Sequence, residues 1–70
     1  MSNTKNTIGK NMKRLRAEQG ISQDRLSKLA DLSLNTVVTV ESGANENPTI
    51  DTLTKIANGL GVGVDDLIRN

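Results

Sequence analysis

"LSLNTVVTVESG", residues 32–43, puts three valines and two threonines into positions 36–40, a composition that favours a β-strand. A strand needs a partner, because a lone strand leaves its backbone N–H and C=O groups unpaired and a two-stranded ribbon is marginal. The rest of the chain offers none: the other β-like run is "GVGV" at 61–64, weakened by glycine at alternate positions. Read as a helix over about 33–41, capped by Ser33 and ended by Gly43, the segment places Val37 and Val40 on one face and Leu34 and Val38 off it. Its β-branched residues cost roughly a few tenths of a kcal/mol each, less than burial of Val37 and Val40 contributes. The segment is expected to be a helix held by packing more than by propensity.

The flanking sequence repeats the same punctuation. Ser22 and Thr49, like Ser33, precede apolar segments, where a hydroxyl caps free N–H groups. Gly20 and the pair Gly59 and Gly61, like Gly43, follow such segments, where a helix end accepts positive φ. Between these signals Ile8, Met12 and Leu15, then Leu26, Leu29 and Ala30, then Leu53, Ile56, Ala57 and Leu60 recur at helical intervals. They predict amphipathic helices at about 8–18, 22–30 and 50–60. Val64, Leu67 and Ile68 after Gly63, with Asp65 and Asp66 in the first turn, predict a short fifth helix. The fold class expected is all-α, a compact five-helix domain over residues 8–70 behind a flexible N-terminal arm at 1–7.

Composition narrows the chemistry. Seventy residues make one small domain with room for one site. Without Cys or His the commonest metal ligands and the thiol and imidazole chemistries are missing, so no metal, cofactor or catalytic residue is expected. There is no long apolar run, and "MSNTKNT" lacks the apolar core of a signal peptide, which predicts a cytoplasmic protein away from membranes. Net charge is +1, but residues 1–30 carry +5 and residues 31–70 carry −4. Such a dipolar chain can present one face to a polyanion.

The predicted helices at 22–30 and 33–41 are joined by a turn as short as "DLS", with apolar Leu32 inside it. That is helix-turn-helix geometry, in which the tight turn sets a steep angle and Leu32 plugs the crossing. Further residues agree with it: Leu15 and Arg16 before Gly20, "SQDRL" from Ser22, Glu41, Ser42 and Gly43 closing the third helix, and "LGVGVDDLI" near the end. Over about residues 8–69 the sequence resembles the Cro/CI-type, XRE-like family of helix-turn-helix DNA-binding domains.

The resemblance implies that the second helix of the motif enters the major groove of double-stranded DNA, with Ser33, Leu34, Asn35 and Thr39 at base-proximal positions. Asn35 suits paired hydrogen bonds to adenine N6 and N7, and Leu34 offers only apolar contact, for instance to a thymine methyl. It places Gln23 beside the phosphates, with Ser22 and the free N–H groups of that helix end, and Ser42 and Thr49 on the other side. Lys10, Lys13 and Lys28 are looser candidates for phosphate attraction. Arg16 and Glu41 match a pair that forms an internal salt bridge in relatives.

The sequence departs from the family pattern at several points. Asp31 holds the turn position where glycine is usual, and Asp accepts the left-handed conformation less readily. The "ANENP" loop is one residue longer, and Glu46 stands where relatives carry Lys or Arg, which weakens phosphate contact there. Asp66 stands where some relatives have an aromatic at the dimer contact. That implies a small two-fold interface and a homodimer that is weak or forms on DNA. The function expected is a sequence-specific transcriptional regulator, a repressor on a palindromic operator. The alternative is a protein-interaction module with a protein partner, such as the antitoxin of a toxin pair or a regulatory adaptor, suggested by Leu34, Val38 and the acidic second half. An enzyme is not expected, because caps, turn and structural pairing account for Ser33, Asp31 and Glu41.

Overall fold

Three hydroxyl caps set the helix starts. Ser22, Ser33 and Thr49 have extended backbone, and their side chains accept the N–H groups of Arg25, Thr36 and Thr52 at 3.0, 3.1 and 3.1 Å. The computed structural model describes residues 6–70. Its helices are α1 (Thr7–Gln19), α2 (Gln23–Ala30), α3 (Leu34–Ser42), α4 (Ile50–Leu60) and α5 (Val64–Ile68). No strand forms among the described residues, and 36–40 is helical. Residues 1–5 of the expected arm lie outside the described residues, while Thr7 opens α1 one residue earlier than the apolar spacing indicates.

Helix ends explain the loops. At Gly20, Asp31 and Gly61 the chain turns left-handed, and the next residue's N–H bonds back to the helix: Ile21 to Arg16, Leu32 to Ser27 and Val62 to Ala57, at 3.1, 2.9 and 2.9 Å. This double-bonded closure directs the following side chain inward. Ile21, Leu32 and Val62 accordingly pack, partly buried, against the core. The loops thus supply core residues as well as turns.

The core is aliphatic: Met12 and Leu15 from α1, Leu26 and Ala30 from α2, Val37 and Val40 from α3, Leu53, Ile56, Ala57 and Leu60 from α4, and Leu67 from α5. Helix α2 packs on α4 and α3, and α1 packs on α3 and α5. Two polar side chains of α1 tie its neighbours down. Asn11 donates to the Leu67 and Arg69 carbonyls at 2.7 and 2.8 Å, and Gln19 donates to the Leu60 carbonyl at 2.7 Å.

Three expectations need correction. Leu29 is 46% exposed, because the 8-residue α2 turns only Leu26, Ser27 and Ala30 toward its neighbours. Ile68 is likewise exposed, at the open end of α5. Gly59 lies inside α4 rather than after it, packed so closely on α2 that a Cβ there would sit 3.1 Å from the Ala30 Cβ and backbone nitrogen. It is a contact glycine, and Gly61 is the helix end.

Two substitutions test this account. Asp31 has φ 57° and ψ 47°, a conformation that costs a residue with a Cβ about 1–2 kcal/mol. Asp31→Gly is therefore expected to raise stability by about 0.5–1 kcal/mol after the greater chain entropy of glycine is deducted; a lower melting temperature would contradict the turn assignment. At Gly9, inside α1, a Cβ would collide with the backbone carbonyl of Glu41 in α3. Gly9→Ala is expected to lose about 1–3 kcal/mol in urea denaturation through overpacking, in spite of alanine's better helix propensity.

Candidate nucleic-acid interface

Helix α3 is amphipathic in an unusual sense, since both of its faces carry valine. Val37, Val40 and Glu41 point inward and are buried, while Leu34, Asn35, Val38 and Ser42 point outward and are exposed. The outward residues follow the 34, 35, 38, 42 spacing of a single helix face. Leu34 is 44% and Val38 37% exposed. The helix is therefore a rigid presenter of a surface, fixed from behind.

Part of the fixation is electrostatic, beside the packing of Val37 and Val40. Glu41, only 4% exposed, receives both ends of the Arg16 guanidinium, Nε to Oε1 at 2.9 Å and Nη2 to Oε2 at 2.6 Å. The remaining Nη1 donates to the Ile21 carbonyl at 3.0 Å. One side chain thus joins α1, the start of the motif and the end of its second helix. Hydrogen bonding to Glu41 raises the Arg16 pKa above its ordinary value and outweighs the opposing effect of burial.

The expected contact residues all lie at the surface, none of them buried. Ser33, Leu34, Asn35 and Thr39 come together on α3 and its cap. Ser22 and Gln23 form the start of α2, Ser42 the end of α3 and Thr49 the cap of α4. Lys10 stands on α1 and Lys28 in the last turn of α2. Several of the hydroxyls already have local partners. Ser33 and Thr36 share a hydroxyl–hydroxyl bond of 2.8 Å, Thr39 donates to the Thr36 carbonyl at 3.1 Å, and Ser42 donates to the Thr39 carbonyl at 3.3 Å.

Charge is distributed unevenly around these residues. Lys28 pairs with Asp24 at 2.9 Å and Arg14 with Glu18 at 3.2 Å, each one helical turn apart at the surface. Among the described residues Lys10, Lys13 and Arg25 form no ion pair within 4.0 Å. Lys10, Lys13 and Arg14 line an open cleft of about 280 Å³ with Asn6, Gly9, Ala17 and Glu41. Arg25 was not singled out by motif, though its place in the first turn of α2 beside Ser22 and Gln23 is a signal the sequence contains. No group of three or more acidic side chains capable of holding a metal ion occurs among the described residues. No helix among them is long and apolar enough to cross a membrane.

Truncating one side of the Arg16–Glu41 pair leaves the other charge buried alone. Arg16→Met is expected to cost about 3–5 kcal/mol and to unfold much of the population at ambient temperature. Circular dichroism melting checks this, and an unchanged midpoint would show that the pair is not what holds α3.

Comparison with known proteins agrees with this arrangement. A helix-turn-helix family model matches residues 12–67. The chain is also 34% identical over 61 residues to an uncharacterized HTH-type transcriptional regulator, y4dJ, of Sinorhizobium fredii, an alignment covering 87% of this chain and 78% of the relative. No solved structure matches. With five helices among the described residues, a capped two-helix motif at its centre and a family match over most of its length, the chain belongs to the Cro/CI-type helix-turn-helix family of DNA-binding domains.

Proposed function

We propose that this DNA-binding transcriptional regulator is a sequence-specific repressor that lays the outward face of α3 in the major groove. The observation that carries the reading is that face: Leu34, Asn35 and Val38 are solvent-exposed, while the opposite side of the same helix is buried and clamped through Glu41. In this reading Ser33, Leu34, Asn35 and Thr39 meet base edges. The start of α2 at Ser22 and Gln23, together with Ser42 and Thr49, meets the phosphates through hydroxyls, amide and free N–H groups. Lys10, Lys13 and Arg25 supply attraction to the polyanion, and Lys28 adds to it where a phosphate competes with Asp24.

Two copies would bind a palindromic operator with half-sites about one helical turn apart. Asp66 is occupied locally, accepting the Gly63 N–H at 3.0 Å and pairing with Arg69. A carboxylate so engaged adds little to a two-fold contact, which supports a dimer that is weak or assembled on the DNA. The second reading, a module that docks a protein partner, draws on the exposure of Leu34 and Val38, and stoichiometric capture of a partner that masks these residues would favour it.

The test is selection from a random duplex pool followed by fluorescence anisotropy at two salt concentrations, with Asn35→Ala alongside. The expected result is an enriched palindrome that Asn35→Ala binds roughly 5- to 150-fold more weakly, the range for one bidentate base contact. The three cations unpaired among the described residues predict a log–log salt slope of only about −3 per half-site. Weak, unenriched binding that salt abolishes equally in both proteins would refute sequence-specific readout.

A further inference from the structure

The outward face of α3 has an unusual chemistry for a surface that reads bases. Helix α3, "LNTVVTVES", contains no Arg, Lys, Gln or His, and its acidic residue, Glu41, is buried and paired with Arg16. Arg and Lys are the side chains that read guanine O6 and N7, and carboxylates read cytosine N4. Neither type is available here. The hydroxyl donors also have local partners: Ser33 accepts the Thr36 N–H and shares a bond with the Thr36 hydroxyl, while Thr39 donates to the Thr36 carbonyl, which leaves these hydroxyls chiefly as acceptors. Ser42 on the same face donates to the Thr39 carbonyl, which leaves the Asn35 carboxamide and the apolar ends of Leu34 and Val38 that flank it as the exposed side chains of α3 without a bond inside the motif.

Resting on the DNA-reading function proposed above, we infer that α3 recognises an A·T half-site core through thymine methyl groups, with Leu34 and Val38 as the specificity-determining residues and Asn35 on an adenine. Apolar side chains placed against guanine O6 or cytosine N4 would strip water from those groups without replacing its hydrogen bonds. Against a thymine methyl the same side chains bury apolar surface on both partners. Leu34 and Val38 are one helical turn apart, a rise of about 6 Å. With base pairs stacked about 3.4 Å apart, a helix lying along the groove sets the two methyls within about two base steps of each other. Thymine contacts of this kind need no charge on the helix. They match a protein whose unpaired cations, among the described residues, stand on α1 and α2 and none on α3.

The test removes methyl groups from the DNA instead of atoms from the protein. The duplex enriched by selection is remade with deoxyuridine replacing thymidine one position at a time, and each version is titrated with the wild-type chain, Leu34→Ala and Val38→Ala. Two positions within two base steps are expected to lose about fourfold in affinity on loss of the methyl, the worth of one buried carbon. At each of them the loss should vanish in one of the two alanine variants, because the contact is already gone. Both side chains are exposed, and unchanged thermal melting confirms that the variants fold. A selected duplex whose essential pairs are G·C, or uracil tolerated at every position, overturns the inference and leaves the regulator reading standing. A uracil penalty that persists unchanged in both variants overturns the assignment to Leu34 and Val38. If no duplex is enriched, both readings fall together.

Discussion

The contact between Arg16 and Glu41 is the constraint on which the arrangement of the motif depends. A carboxylate with 4% exposure is tolerable only when each oxygen has a charged donor, and the guanidinium fork supplies both in one plane. Its third bond, to the Ile21 carbonyl, holds the chain where α1 hands over to α2. The backbone of Glu41 meets α1 as well, at Gly9, where no Cβ fits. Helix α3 is thereby pinned at its C-terminal end by both the side chain and the main chain of one residue.

A helix as poor in intrinsic propensity as α3 needs such support. Three valines and two threonines in succession stabilise a helix weakly, and isolated helices of nine residues do not persist in water. Tertiary packing therefore supplies the stability, through Val37 and Val40 beneath and Leu32 in the turn before. The result has a functional consequence: a helix whose inward face is locked can present an outward face of free composition. That face is mainly apolar with one carboxamide, and in the proposed reading attraction to a polyanion falls to cations of α1 and α2 that are unpaired among the described residues.

Hydroxyl groups illustrate how one residue serves two purposes. Ser22, Ser33 and Thr49 were legible in the sequence as caps, and the structure shows each accepting the N–H group that a cap should. A capped helix start also gathers free N–H groups at the surface, which is where a phosphate oxygen is best received. Stability and the proposed backbone contacts thus share the same positions. The contrast with Thr39 and Ser42 is instructive, because their hydroxyls bond to carbonyls one turn back within α3. Nothing in the spacing of the sequence distinguishes these two states of a hydroxyl.

By itself the sequence determined the number, order and approximate limits of the helices, because caps, left-handed closures and apolar spacing are local signals. It also determined the helical state of 36–40, since a strand would have had no partner, and the family, through motifs spread over most of the chain. Tertiary structure decided what local periodicity cannot. Leu29 has the spacing of a core residue but stays half exposed, and Gly59 has the look of a helix end but is a point of contact between α4 and α2. Gly9, Asn11 and Gln19 read as ordinary positions on α1, yet one admits the α3 backbone and two bind the ends of α5 and α4. The physical reason is common to all five: a side chain's own helix sets the direction in which it points, and what it meets there depends on residues tens of positions away.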